Sequence, residues 1–340
     1  MAQTPGIDVS QPPRWKVVFT DESIRPDAAD MLRETCSVQV LRSYPSEAAL
    51  IDASHDADAI LARLGVVTAA VIEAAPRLRI IARHGAGSDG VDIPVATRHG
   101  VVVTTTGPAN AGAVAEYTFA LLLALLRRIP LAEADMRAGR WSREPLIGEA
   151  LEGKTLGIVG FGAVGSRVAR IASAFGMHVV AAAGRGGSAA PKPVPVLPLP
   201  ELMAMADVVS LHARLLPATH GMIDASMIAA MKPGAFLVNT ARGELVDEAA
   251  LIRALRSGHL AGAALDTYAV EPLPADSELR RLPNVLLSPH VAGQTTEAVV
   301  KVGRAAARAI LDELAGKRPA FVVNPEAYAM RRTCRVITRK

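Results

Sequence analysis

Three glycines at Gly160-x-Gly162-x-x-Gly165 follow a short apolar run, Leu156-Gly-Ile-Val, and open a helical pattern that reaches Phe175. The first glycine lets the chain turn sharply out of a strand. The second lets the backbone approach a pyrophosphate, and the third lets helix and strand pack closely. A helix N-terminus then offers unpaired N–H groups and a positive dipole end to the phosphates. Three later segments each follow an expected strand: Asn239-Thr240-Ala241-Arg242-Gly243, Asp266-Thr-Tyr-Ala-Val-Glu271-Pro272 and Ser288-Pro289-His290. In an open α/β sheet the carboxyl ends of the strands are where ligands bind. Arg242 can hold a carboxylate bidentately and polarise an adjacent carbonyl. His290 can give or take a proton near neutral pH. Glu271 beside it would favour the imidazolium and raise its pKa. Hydride transfer to a 2-oxo acid needs these three roles beside a dinucleotide. Each residue also has a plainer reading: a helix-start arginine, a satisfied buried histidine, a turn glutamate before Pro272. Their joint arrival at three strand ends favours the catalytic set.

The elements that must position these residues alternate along the chain. Strands are expected at Trp15–Thr20, Ser37–Leu41, Ala59–Ala62, Leu78–Arg83 and Val101–Thr104, with helical patterns at Arg25–Glu34, Ser46–Ser54 and Thr68–Ala75. That predicts a small α/β unit with a parallel sheet. Gly107-Pro108 breaks the chain before a long helix, Ala111–Arg128. This helix is apolar on nearly every face, so it must be covered by a neighbouring domain or a second subunit. Leu131–Ala150, with Gly139, Trp141 and Pro145, reads as an extended arm. Strands then recur at Thr155–Val159, His178–Ala182, Val208–Leu211, Ala235–Asn239, Gly262–Leu265 and Val285–Leu287. This is a doubly wound nucleotide-binding pattern. Proline in Ala189–Pro200 excludes a regular helix there. Thr295–Ala315 is a last long helix with Gly316 as its stop.

Composition bounds the function class. The 340 residues suffice for two domains, half are hydrophobic and 21% are charged, as in a globular protein with large cores. Two cysteines, Cys36 and Cys334, make no disulfide framework, and Met1–Pro13 reads as a loose polar leader without the form of a signal peptide. The expected location is cytoplasmic. The longest apolar run, Tyr117–Leu126, is too short to span a bilayer, so no membrane role is expected. The net charge of +4 is supplied by the tail Arg331, Arg332, Arg335, Arg339, Lys340, and only 4% of residues are aromatic. Nucleic acid is therefore not an expected partner.

The motifs together make the sequence resemble the D-isomer-specific 2-hydroxyacid dehydrogenases, the group of phosphoglycerate dehydrogenase and glyoxylate/hydroxypyruvate reductase. The resemblance runs from about Ala59 to Asn324. It rests on Arg83-His-Gly85-Ala-Gly87-Ser-Asp89-Gly-Val-Asp92, on Asn110 with Val114-Ala115-Glu116, on Arg137-Ala-Gly-Arg-Trp141, and on the dinucleotide loop and the Arg242, Glu271 and His290 segments. It implies two Rossmann-like α/β domains: a discontinuous, flavodoxin-like substrate domain (1–107 with 295–340) and a Rossmann cofactor domain (108–294). It places the active site in a cleft with hinges near Gly107–Asn110 and His290–Gly293. Backbone N–H groups of His84, Gly85, Ala86 and Gly87 would bind the substrate carboxylate with Arg242. Implied cofactor contacts are Gly160, Phe161, Gly162, Ala163, Val164 and Gly165, then Gly184, Arg185, His212, Arg214, Pro217 and Thr219, and finally Thr240, Ala241, Arg242, Asp266, His290 and Gly293. Asp266 would hold the nicotinamide carboxamide, and Thr240 and Ala241 would line its pocket. The helix from Ala111 and the arm around Trp141 would build a homodimer. No metal is implied.

Two departures bear on the cofactor. Ala183 stands where an acidic residue would bind a ribose 2′-hydroxyl, followed by Gly184-Arg185-Gly186. His212-Ala-Arg214-Leu-Leu-Pro217 carries an arginine where the family has a proline. NADP(H) is therefore expected ahead of NAD(H), since Arg185 can pair with a 2′-phosphate. The loop Arg63-Leu64-Gly65-Val66-Val67-Thr68 offers one arginine among apolar residues, and a phosphate dianion there would be poorly compensated. Small 2-oxo acids such as glyoxylate or hydroxypyruvate are the expected substrates, reduced to the D-hydroxy acids. Arg63 keeps 3-phosphoglycerate dehydrogenation as the alternative. A non-catalytic nucleotide sensor is disfavoured by the intact Arg, Glu and His, and a formate dehydrogenase by Glu271.

Overall fold

Short runs of valine, isoleucine, leucine and alanine become parallel strands throughout the chain, and the helices between them cover both faces of each sheet. The computed structural model describes residues 15–182 and 194–331. The chain divides into two units, one running to Asn110 and resuming at Thr295, the other spanning Ala111–Gln294.

The first unit holds β1 (Trp15–Phe19), β2 (Cys36–Val40), β3 (Ala59–Ala62), β4 (Ile80–Arg83) and β5 (Val102–Thr104). They pair in the order β2-β1-β3-β4-β5, all parallel. This is the flavodoxin-like order, and it reverses between β1 and β3. β3 is buried along its whole length, as expected of a central parallel strand. On one face Val18, Ile60, Ile81 and Val103 pack with Leu50, Val71 and Val95. On the other, Val17, Phe19, Leu61 and Ile80 meet Ala28 and Leu32 of the helix Pro26–Arg33 and Ala306, Ala307 and Ile310 of the helix Thr296–Leu314.

The second unit holds β6 (Thr155–Val159), β7 (His178–Ala182), β8 (Val208–Leu211), β9 (Ala235–Asn239), β10 (Leu260–Leu265) and β11 (Val285–Leu287). The order is β11-β10-β9-β8-β6-β7, again parallel. Beyond β7, Val196 bridges Ala181 in parallel fashion. With that bridge counted as a strand, the edge reads 3-2-1-4-5-6, the dinucleotide-binding order, with one strand added at the far side. The order reverses between β6 and β8, and the Gly160–Gly165 turn leaves β6 at that point.

Several helices begin where a short oxygen-bearing side chain can cap them. Ser46, Asp92, Asp224, Asp247 and Thr295 accept from Ala49, Val95, Met227, Ala250 and Ala298 N–H groups at 2.9–3.2 Å. Four helices, Ile93–Arg98, Leu199–Met205, Ala225–Ala230 and Glu248–Arg256, were not marked by a long periodic pattern. In the proline-rich stretch the described part stays non-helical until Pro198, and Pro200 then sits in the first turn of a helix, which its fixed φ suits.

Two expectations need correction. The helix from Ala111 ends at Leu126, and Arg128 adopts a left-handed φ of 51° before a second helix, Ile129–Arg137. The expected extended arm therefore begins as helix, because Pro130 fits the first turn and Ala, Glu and Met follow it. Only the part after Arg137 is irregular, apart from a single turn at Glu144–Leu146. The apolar helix itself also has most of its cover inside its own unit: Ala115, Phe119, Leu121, Leu122 and Leu126 pack with Ile158, Val168, Phe236 and Val238. Among the described residues no helix is long and apolar enough to cross a membrane.

Candidate active site

The glycine turn shows three different reasons for three glycines. Gly160 has φ 96°, and a Cβ there would lie 2.5 Å from Ala213 N, so the turn and the His212–Ala213 backbone close on each other only without a side chain. A Cβ on Gly165 would lie 2.3 Å from the Gly160 carbonyl oxygen, where the helix Gly165–Ala174 starts against the turn. Gly162 differs: a Cβ there meets nothing within 4 Å. The loop leaves open space at the position where a pyrophosphate must come close, so its shape fits a dinucleotide. Phe161 is buried, while Ala163 and Val164 lead into the helix.

The loop after β8 is braced internally. His212 Nε2 lies 2.8 Å from the Ser210 hydroxyl, and burial pushes the imidazole pKa down to about 3, so the ring is neutral. Thr219 donates its hydroxyl to the Arg214 carbonyl at 2.7 Å and accepts from Leu216 N at 2.8 Å. Thr219 thus shapes the loop, while Arg214 and Pro217 are exposed. Ala183, Gly184 and Arg185 lie outside the described residues, as do the leader, Cys334 and the tail beyond Arg331.

The three strand-end segments converge. Asn239 ends β9 and fixes the next turn with its amide: Oδ1 accepts from Ala241 N at 3.0 Å, and Nδ2 donates to the Arg242 carbonyl at 2.8 Å. Gly243 allows this turn to press on the next loop, since a Cβ there would lie 1.9 Å from the Tyr268 carbonyl carbon. Tyr268 N donates to Glu271 Oε1 at 3.1 Å, and Glu271 Oε2 lies 2.7 Å from His290 Nδ1. Burial raises the Glu271 pKa, but the hydrogen bond and charge of His290, the Tyr268 N–H and the Arg242 charge outweigh it and hold the carboxyl below its ordinary value. Arg242, Glu271 and His290 are therefore one electrostatic group. Thr240 is buried with its hydroxyl 3.0 Å from that of Thr118.

His290 has a left-handed φ of 53°. Asp266 explains how that conformation is held. Its fully buried carboxylate accepts from the Ser288 hydroxyl at 2.6 Å and from Val291 N and Ala292 N at 2.9 Å each. The expected role of Asp266, holding a nicotinamide carboxamide, meets a carboxylate already engaged with the histidine loop. The Tyr268 hydroxyl stitches the same place, 2.9 Å from the Ser288 carbonyl and accepting from Ser288 N at 3.1 Å. Burial pushes that phenol's pKa up to about 12, so it stays a donor. Sequence reasoning missed Tyr268 and the tether role of Asp266, because the partners that tie them to the histidine loop lie twenty or more positions away. Gly293 follows the tethered residues directly.

The remaining expected residues belong to the first unit. His84, Gly85, Ala86 and Gly87 follow β4, and Arg63 and Leu64 follow β3, at one carboxyl edge of that sheet. His84 N donates to the Ala62 carbonyl at 2.8 Å, and burial followed by the Arg63 charge pushes the imidazole pKa down to about 4. Arg63 is paired with buried Asp21 at 3.1 Å. Among the described residues no group of three or more His, Cys, Asp or Glu is placed to hold a metal.

Residues 119–292, just over half of the chain, match the family described as D-isomer specific 2-hydroxyacid dehydrogenase, NAD binding domain. The chain belongs to the D-isomer specific 2-hydroxyacid dehydrogenases. It is 37% identical over 325 residues to a glyoxylate reductase of Thermofilum pendens, covering 92% of this chain and 96% of that protein. It is 40% identical over 311 residues to a D-3-phosphoglycerate dehydrogenase of Mycobacterium tuberculosis, covering 91% of this chain but 58% of that protein. The chain thus spans about three fifths of the phosphoglycerate dehydrogenases it matches. Among solved structures, an NADPH-dependent glyoxylate/hydroxypyruvate reductase from Sinorhizobium meliloti, in complex with NADP and malonate, superposes with a TM-score of 0.83 at 30% identity, covering 92% of this chain and 98% of that one. The Gly160 turn, Arg242, Glu271 and His290 all lie within the stretch matched to the dehydrogenase family.

Proposed function

We propose that the chain reduces small 2-oxo acids to D-2-hydroxy acids, using NADPH ahead of NADH. The observation that carries this reading is the 2.7 Å Glu271–His290 pair at the carboxyl edge of the same sheet as the open glycine turn. When bound, the reduced nicotinamide supplies the hydride. The chain's own residues do the rest. With Nδ1 engaged by Glu271, His290 Nε2 is the nitrogen that gives a proton to the developing alkoxide. Arg242 holds the substrate carboxylate and polarises the neighbouring carbonyl. In the loop after β4 the N–H groups of Gly85 to Gly87 are the ones offered to the carboxylate, since that of His84 is taken by the Ala62 carbonyl. The exposed Arg214 supports the NADPH preference, as does likeness to an NADPH-dependent reductase.

D-3-phosphoglycerate dehydrogenation is the second reading, favoured by the 40% identity to such enzymes. The pairing of Arg63 with Asp21 speaks for the small, uncharged tail instead. Rates with glyoxylate, hydroxypyruvate and phosphohydroxypyruvate, each with NADPH and NADH, decide the matter by loss of reduced-cofactor absorbance. A clear preference for the phosphorylated acid would establish the second reading, and equal efficiency with both cofactors would remove the NADPH preference.

A homodimer belongs to the same proposal. On the arm Trp141 is 75% exposed, beside the exposed Met136, and Ile147 is 69% exposed, and these apolar surfaces suit a second copy of the chain. Light scattering should give twice the chain mass, and Trp141→Glu with Ile147→Glu should give the monomer. A wild-type monomer at micromolar concentration would refute it.

A further inference from the structure

Three loops at the carboxyl edge of the first unit's sheet meet on one carboxylate. Asp21 follows β1 and is fully buried. Ser23, in the same loop, donates its N–H to Oδ1 at 2.9 Å and its hydroxyl to Oδ2 at 2.6 Å. Ser43, in the loop after β2, donates its hydroxyl to Oδ1 at 2.6 Å. Arg63, directly after β3, donates from Nη1 to Oδ2 at 3.1 Å. The Arg63 backbone is fixed as well. Its N–H donates to Thr20 Oγ1 at 3.0 Å, and that hydroxyl donates to the Leu64 carbonyl at 2.9 Å. Burial alone would raise the Asp21 pKa, but the serine hydrogen bonds and the Arg63 charge hold it below the ordinary value. Asp21 is therefore a carboxylate at working pH.

The place of this pair matters. It lies between β1 and β3, where the strand order reverses and open α/β sheets receive ligands. The next loop along the edge is His84–Gly87. The charges of Arg63 and Asp21 both act on His84, Arg63 lowering its pKa and Asp21 raising it. The pair is thus within electrostatic reach of the loop assigned above to the substrate carboxylate. A partly buried arginine alone would draw a second anionic group strongly. Beside Asp21 the same guanidinium presents little net charge, and an incoming dianion must compete with a carboxylate that also repels it.

We propose that Asp21 determines substrate specificity: by neutralising Arg63 it confines this edge to 2-oxo acids whose tails carry no second anionic group. The inference rests on the proposed 2-oxo acid reduction. Asp21→Asn keeps the shape and removes the charge, whereas Arg63→Gln removes the opposite charge. The measurement is the ratio of kcat/KM for a tail-charged acid (phosphohydroxypyruvate or oxaloacetate) to that for hydroxypyruvate, with NADPH affinity followed by fluorescence titration. Asp21→Asn should raise the ratio about tenfold or more, mainly through KM, as one charge-assisted contact becomes available. Arg63→Gln should lower it, and NADPH affinity should be unchanged in both. An unmoved ratio in folded Asp21→Asn, or a ratio that rises in Arg63→Gln, overturns the proposal. If Asp21→Asn does not fold, the double variant Asp21→Asn with Arg63→Gln decides: a ratio above that of Arg63→Gln alone supports the proposal, because the repelling carboxylate is gone, and an equal or lower ratio overturns it. Wild-type protein inactive on every 2-oxo acid would overturn the reading beneath it and this inference together. An active wild type with unmoved ratios would overturn this inference only.

Discussion

His290 sits in backbone territory that costs a side-chain-bearing residue of order 1–3 kcal/mol, and the surrounding hydrogen bonds to Asp266 over-determine it. Strain kept in place this way fixes where the imidazole points. His290→Ala should lower kcat by about 10²–10⁴-fold, since proton donation belongs to the chemical step. Cofactor affinity should stay nearly intact in a fluorescence titration. A parallel loss of affinity and rate would assign His290 to binding instead. For Glu271 the sign of the pH effect follows from its lowered pKa. The pair's contribution to stability is fully present above the ordinary carboxylate pKa of 4.5 and disappears as pH falls through the lower folded value. The difference in unfolding temperature between wild type and Glu271→Gln should therefore shrink as the solution is made more acid below about pH 5.5. A difference that grew on acidification would contradict the pairing. Arg242, Glu271 and His290 were legible in the sequence because each closes a strand pattern. Asp21 was not, because Arg63, its ionic partner, is 42 positions away and only the fold brings them together.

At the scale of elements, the glycine turn separates fold from ligand. Gly165→Ala should destabilise the protein by several kcal/mol, since its Cβ would collide with the Gly160 carbonyl, a backbone atom with little freedom to move. Gly162→Val should leave the unfolding temperature nearly unchanged, because its side chain enters open space. It should weaken dinucleotide binding about tenfold or more by standing where the phosphates come close. Thermal unfolding and cofactor titration of the two variants check this contrast, and a stable Gly165→Ala with normal binding would refute it. The strands were readable as short β-rich apolar runs bounded by turn residues. The helix Ile129–Arg137 was not, because Gly139, Trp141 and Pro145 made the whole stretch from Leu131 read as an arm, whereas its first part continues a helix opened by Pro130. The short helices Ile93–Arg98 and Ala225–Ala230 span less than two turns, too few for a periodic pattern to register.

For the molecule as a whole, two neutral histidines set a limit on acid stability. Burial pushes His84 down to about 4 and His212 to about 3, against 6.5 in the unfolded chain. Between pH 6.5 and 4 the unfolded state takes up protons that the folded state refuses, so stability falls as pH drops through that window. His84→Gln and His212→Gln should each make the unfolding temperature less dependent on pH there. An unchanged dependence would mean that the folded rings are protonated after all. The division of the chain has a consequence for biosynthesis. The second unit is a continuous insertion, Ala111–Gln294, inside a first unit made from both ends of the chain. While a ribosome makes the protein, Phe19, Leu61 and Ile80 emerge early, but the helix carrying Ala306, Ala307 and Ile310 emerges last. At about 5–20 residues per second, that delay is roughly 10–50 s. During it one apolar face of the nascent sheet has only the helix Pro26–Arg33 as cover, while the inserted unit can already fold. The vulnerable moment for aggregation, and for rescue by a chaperone, therefore precedes the release of Leu314 from the exit tunnel.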